Sequence, residues 1–178
     1  MAPTDISRRH GVRRLSRSDW LAHSDFLTVP LAAVALGMST PFSVGFVVLF
    51  AAGAAFWSLV EYWAHRLMHD RRFPTLRTIH VAHHQHPRRP SGGTVYSTMI
   101  ICALVALSVG TSAGPFVIGL LAGYFAFIAL HFAMHAPRLA RFVPPSLGAA
   151  HDAHHHAAPR RMFGVTTSVW DRAFGTYA

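Results

Sequence analysis

The sequence predicts an all-α integral membrane protein: four transmembrane helices arranged as two hairpins, with a cytoplasmic helical cap that carries clustered histidines. Three observations predict this. Charged residues make up only 13% of the 178 residues and hydrophobic residues 52%, against about 25% charged in an ordinary soluble domain. Two long stretches, residues 26–60 and 90–137, contain no Asp, Glu, Lys or Arg. The histidines crowd into four short boxes that lie at or beyond the ends of those stretches.

Each element follows from local chemistry. A helix crosses the ~30 Å hydrocarbon core in roughly 20 residues, so each uncharged stretch is long enough for two passes. Gly37, Ser39, Thr40 and Pro41 break the first stretch near its middle, and residues 110–115 break the second. One span plus a re-entrant or interfacial helix per stretch is the alternative. All cationic side chains are arginine, and they fall within residues 8–17, 66–89 and 138–172, never in the two outer turns. By the positive-inside rule, both termini and every histidine box face the cytoplasm of a multi-pass cell-membrane protein. The formal net charge of +9 is then a matter of topology and of anionic headgroups rather than of nucleic acid. Residues 1–25 read as a basic cytoplasmic segment, with Trp20 near the headgroups, and residues 26–178 as one membrane-embedded domain. The lone Cys102 excludes a disulfide framework or an iron–sulfur cluster within the monomer and reads as a small packed hydrophobe.

The boxes are His65-x-x-x-His69, His80-x-x-His83-His84, His131-x-x-x-His135 and His151-x-x-His154-His155. Spacings of three and four place imidazoles on one face of a helix. The plan of an apolar stretch, a two-histidine box and a three-histidine box occurs twice, in residues 26–86 and 94–156. Four converging faces would hold two metal ions through nitrogen. Neutral imidazole suits iron, zinc, copper and nickel alike, so the donors alone do not choose the metal. His86 and His156 extend two boxes and read either as supports of the ligands or as solvent-facing residues, and His10 and His23 fall in the basic leader, outside the ligand set. Glu61, one turn before His65, is placed to accept that ring's free N–H. Asp171 reads either as a support of this kind, as a helix cap or as a partner of Arg172. Asp152 stands next to His151.

From Trp57 to Tyr177 the chain resembles the fatty acid hydroxylase / sterol desaturase superfamily of integral-membrane dimetal oxygenases. The resemblance rests on Trp57-Ser58-Leu59-Val60-Glu61-Tyr62-x-x-His65-Arg66 and on the four boxes. It rests also on the tail Phe163-Gly164-Val165-Thr166-Thr167-Ser168-Val169-Trp170-Asp171-Arg172-Ala173-Phe174-Gly175-Thr176, which is similar to the end of the fatty acid 2-hydroxylases. It implies His65, His69, His80, His83, His84, His131, His135, His151, His154 and His155 as metal ligands. It also implies an oxygen-dependent hydroxylation or desaturation of a lipid, most closely of a fatty acyl chain. Iron is the expected metal, with zinc as the other candidate, and dioxygen is the co-substrate. Electrons would come from a separate ferredoxin or b-type cytochrome, since the sequence holds no Gly-x-Gly-x-x-Gly turn and no Cys cluster.

The chain departs from the 2-hydroxylases in two places. The first box has three intervening residues, as in the sterol desaturase branch, and Ala129-Leu130 precede His131 where an acidic residue is common in the 2-hydroxylases. A sterol-type desaturase and a carotenoid hydroxylase are therefore the competing enzymes. A non-catalytic metal-binding membrane protein is the competing class. A metal transporter is disfavoured because it needs polar ligands inside its spans.

Overall fold

A computed structural model describes residues 24–87 and 95–178; the basic leader with Trp20, His10 and His23 lies outside the described residues. The regular secondary structure of the described residues is helical, without strands. We number the helices α1 (Asp25–Met38), α2 (Val44–Met68), α3 (Pro74–Gln85), α4 (Val95–Ser108), α5 (Gly114–His135), α6 (Pro145–His156) and α7 (Val169–Ala173). A 3₁₀ turn, Ala140–Phe142, lies between α5 and α6.

Helices α2 and α5 form the axis of the molecule. They are the two described helices long and apolar enough to cross a membrane, and only 11% and 28% of their most apolar windows are buried inside the protein. Their outer faces, and those of α1 and α4, expose large apolar side chains such as Leu31, Val48, Phe56 and Leu107. Such a continuous apolar surface requires a partner other than water. Helix α2 starts at Ser43, whose hydroxyl accepts from the Phe46 N–H at 3.1 Å, and runs without interruption to the first histidine box. Helix α5 likewise carries His131 and His135 in its last turns.

The crossing of α2 and α5 is close because two glycines meet backbone. A Cβ on Gly53 would lie 2.0 Å from the Phe116 carbonyl oxygen, and one on Gly119 would lie 2.0 Å from that of Phe50. One constant offset along the chain carries Phe50 onto Phe116, Gly53 onto Gly119, His65 onto His131 and His69 onto His135. The crossing is thus a pseudo-two-fold contact, and the twofold plan legible in the sequence is built into the packing.

The first expected hairpin needs correcting, whereas α4 and α5 of the second do pack together. Helix α1 packs on α5 and α4 instead of on its chain neighbour α2. Its Val29 and Leu36 are buried with Ile101, Val117, Ile118 and Leu121, an apolar contact that decides the packing after the turn at residues 39–43 redirects the chain. The described parts of α1 and α4 are each 14 residues long, or about 21 Å. Among the described residues, each uncharged stretch therefore contains one helix long enough to cross a membrane and one shorter apolar helix. Cys102, expected to be packed, is exposed on α4 among the described residues.

Replacing Gly119 with Ala should lower thermal stability in detergent by about 1–3 kcal/mol, the usual effect of overpacking. Gly37→Ala, where an added Cβ meets nothing within 4 Å, should cost nothing comparable. Comparison of the two melting temperatures checks the crossing.

Candidate metal centre

The histidines come from four elements. His65 lies in the last turns of α2 and His69 caps it. His131 and His135 end α5. Helices α3 and α6 fold over these ends, each opened by a proline in its first turn, Pro74 and Pro145, where the missing N–H has no helical partner to lose. They bring in His80, His83 and His84, and His151, His154 and His155.

The structure gathers these imidazoles into two groups. One holds His65, His69, His80 and His154; the other holds His83, His131, His135, His151 and His155; within each group the candidate donor atoms all lie within 4.8 Å of one another. His84 joins the first group, with its Nε2 2.8 Å from that of His80 and 3.1 Å from that of His154. Each group then has five rings. The grouping crosses the repeat: His83 from the first copy serves the second group, and His154 from the second copy serves the first. Ring separations follow the same symmetry. His65–His154 and His83–His131 centroids are both 4.5 Å apart, while His84 and His155 stack at 4.2 Å where the groups meet. His86 and His156 are exposed and belong to neither group. His156 turns back on Asp152, accompanied by a 3.2 Å ion-pair contact.

The ring nitrogens face one another in a way that hydrogen bonding alone does not satisfy. The His65 Nδ1 donates to the Phe163 carbonyl at 2.6 Å, and the His154 Nδ1 to the Arg161 carbonyl at 2.7 Å. A carbonyl only accepts, so both rings carry their proton on Nδ1 and present an Nε2 lone pair inward. The His80 Nε2 meets three other Nε2 atoms, of His65 at 3.3 Å, His84 at 2.8 Å and His154 at 3.5 Å, yet a ring nitrogen has at most one proton to donate. In the second group the Nε2 atoms of His131 and His83 are 3.0 Å apart, and those of His151 and His135 are 2.9 Å apart. The Nε2 atoms of His69 and His155 are buried without a partner among the described residues. Adjacent nitrogens bound to one ion at about 2.0–2.1 Å lie about 2.8–3.4 Å from each other in octahedral or tetrahedral geometry. The donor set therefore fits two cations, one per group.

Protons do not provide the missing positive charge. Burial first, then the neighbouring imidazoles of His154 and His84 and the guanidiniums of Arg160 and Arg77, hold His69 down at about 4. Burial, followed by His135, His84 and His154, holds His83 at about 3, and burial with His154 and His135 holds His84 at about 4. His80 and His151 are pushed well down, chiefly by burial. The rings are neutral near pH 7, the form that ligates metal.

The C-terminal tail orients the first group. Its carbonyls at Arg161 and Phe163 flank Met162, which adopts a left-handed φ of 55° and is buried. Two carboxylates hold this strap. Asp171, 1% exposed, accepts the N–H groups of Phe163 and Gly164 at 2.9 and 2.8 Å and the Thr176 hydroxyl at 2.7 Å. Glu61 accepts the N–H groups of Val165 and Thr166 at 2.6 and 2.8 Å and the Thr166 hydroxyl at 2.8 Å. The expected Glu61–His65 bond is thus replaced by an indirect one: Glu61 grips the tail, and the tail's Phe163 carbonyl grips His65. Asp171 acts in the same way, neither capping a helix nor pairing with Arg172. Backbone carbonyls carry no residue signature, so sequence reasoning had no means of finding these two acceptors.

The family model described as fatty acid hydroxylase matches residues 50–176. The chain is 31% identical to human fatty acid 2-hydroxylase over 146 residues, covering 72% of this chain and 39% of that protein. It is 30% identical to the dihydroceramide fatty acyl 2-hydroxylase FAH1 of Arabidopsis thaliana over 159 residues, covering 81% and 65%. A solved structure of full-length scs7p, with only the hydroxylase domain visible, matches with a TM-score of 0.70 at 28% identity, covering 90% of this chain and 66% of that one. The chain spans less than two thirds of the length of each of these proteins.

Two outcomes test the site. In Glu61→Ala the Val165 and Thr166 amides lose their acceptor, at about 1–3 kcal/mol for each unsatisfied buried donor. Amide exchange should accelerate across residues 161–167 while α5 stays protected. The second outcome concerns pH. Unfolded imidazoles titrate near 6.5, whereas folded His69, His83 and His84 titrate near 3–4. Between those values the unfolded chain binds more protons, so the stability these rings contribute is present above about pH 6.5 and falls as the pH falls. Metal-free protein should show a melting temperature that drops steadily from pH 7 to pH 4.5.

Proposed function

The chain belongs to the fatty acid hydroxylase family, and on that premise we propose that it is a membrane-embedded, oxygen-dependent dimetal hydroxylase. Its target is a C–H bond of a lipid, most closely of a fatty acyl chain. The observation that carries this reading is the pair of five-imidazole groups whose inward lone pairs lack enough protons to satisfy them.

His65, His69, His80, His84 and His154 would hold one ion, and His83, His131, His135, His151 and His155 the other. Iron is the proposed metal, because oxidation of an unactivated C–H bond needs the dioxygen chemistry that bound iron supplies and that no side chain can. The protein's own part is positioning. The Phe163 and Arg161 carbonyls fix the Nδ1 protons of His65 and His154, so their Nε2 atoms need no rearrangement before ligation. Glu61 and Asp171 fix the tail that supplies those carbonyls. Helices α2 and α5 deliver their histidines from rigid ends, which holds ligand geometry better than a loop does.

In the bilayer, α2 and α5 cross and the shorter α1 and α4 reach through most of its apolar thickness beside them. That gives a multi-pass arrangement of four immersed helices, with the arginine-bearing site and both termini on the cytoplasmic side. The arginine distribution supports that orientation. The apolar substrate would approach sideways from the lipid. A separate ferredoxin or b-type cytochrome would deliver electrons.

The test is mass spectrometry of membrane lipids from an aerobic host expressing the chain with a reductant protein. The wild type should yield a lipid heavier by one oxygen atom, and His154→Ala should reduce that product by at least a hundredfold while still inserting. Full product from the variant would refute the assignment of His154. A lipid lighter by two hydrogens would place the chain with the desaturases.

A further inference from the structure

Beside the first histidine group lies an open cleft of about 680 Å³ whose lining includes His69, Arg66, Arg71, Arg72 and Arg160. A second, of about 310 Å³, shares His69 and Arg160 with it and adds Arg77. The one carboxylate on the larger cleft is Asp70, and it is already engaged: Arg72 binds it through Nε and Nη2 at 2.9 and 2.6 Å. Arg66 donates to the Tyr62 hydroxyl at 2.9 Å and lies over the Trp63 ring at 5.2 Å, which fixes its position without neutralising it. Arg71, Arg77 and Arg160 have no carboxylate partner among the described residues.

The positive-inside rule accounts for arginines on this side of the membrane. It does not require them to line one cleft that opens onto a histidine of the site. The same cleft also has an apolar wall, built from Trp63, Leu67 and Phe163. Trp63 is 40% exposed and meets the half-open Phe174 ring at 5.4 Å. Guanidinium groups and apolar rings lining one cleft match an amphiphile with an anionic head.

We propose that this cleft binds the anionic head group, carboxylate or phosphate ester, of the lipid substrate, with the chain leaving along Trp63 and Phe174. Guanidinium groups pair bidentately with either oxyanion. This assignment rests on the hydroxylase reading and deepens it. A head held beside His69 keeps the first carbons of the chain next to the metal groups, so the position attacked lies close to the head. Neutral lipids lack the group that the arginines recognise.

The test is equilibrium binding of radiolabelled palmitate to the full chain in non-ionic detergent, with unlabelled competitors. Methyl palmitate and dipalmitoylglycerol, which carry no anionic group, should compete at least tenfold more weakly than palmitate and phosphatidylglycerol. Affinity should fall with added salt. The Arg71→Gln/Arg160→Gln double variant, which disturbs no hydrogen bond among the described residues, should bind at least tenfold more weakly. Stronger displacement by phosphatidylglycerol than by palmitate assigns a phosphate head; the reverse assigns a carboxylate. Equal competition by the neutral lipids, or unchanged affinity in the double variant, overturns the proposal. Binding is read without turnover. Hydroxylated lipid without anion selectivity would refute the cleft alone, and anion binding without any oxidised lipid would refute the hydroxylase alone.

Discussion

Neutral imidazoles crowded ring nitrogen to ring nitrogen set the terms for the rest of this protein. Burial keeps His80, His83, His84 and His151 unprotonated, and their ring nitrogens approach one another to 2.8–3.5 Å. Some of these contacts can be N–H to N hydrogen bonds, but the His80 Nε2 meets three ring nitrogens with one proton at most, so a cation among the rings would satisfy lone pairs that protons do not. Two cations, one for each group of rings, would meet that requirement. The fold then has to hold those rings in place when the ions are absent, and most of its specific features do that.

Two devices share the task. The glycine-mediated crossing of α2 and α5 sets the spacing of the first and third boxes, because the same pseudo-two-fold relation links Gly53 with Gly119 and His65 with His131. Exchange of His83 and His154 between the groups then ties α3 to the end of α5 and α6 to the end of α2. Neither half can build a five-ring site alone. The second device is not symmetric. The tail strap, clamped by Glu61 and Asp171, orients only His65 and His154 of the first group. In the second group the buried Nδ1 atoms of His83 and His151 have no partner among the described residues. The first group is therefore the more firmly organised, and it is also the one beside the arginine-lined cleft.

The site was more legible in the sequence than the fold around it. Spacings of three and four mark a shared helical face directly, so the ten ring positions could be read without knowing the packing. Membrane association was legible from the uncharged stretches. The partner of α1 was not: composition shows that Val29 and Leu36 need an apolar neighbour, while their contact with α5 and α4 depends on a turn whose direction no periodicity encodes. The exchange of His83 and His154 was hidden for a similar reason, since adjacent histidines on one helix point to different sides and spacing does not say which side meets which group. The role of Glu61 was half legible. Its carboxylate does act on His65, but through the backbone of residues 163–166, a relay assembled by tertiary structure.

X-ray absorption at the iron edge, with metal content measured on the same iron-loaded sample, tests the central claim most directly. The account predicts two irons per chain, each with a shell of nitrogen at about 2.0–2.2 Å and the outer scattering of several imidazoles. One metal ion per chain, or a shell dominated by carboxylate oxygen or by sulfur, would contradict it.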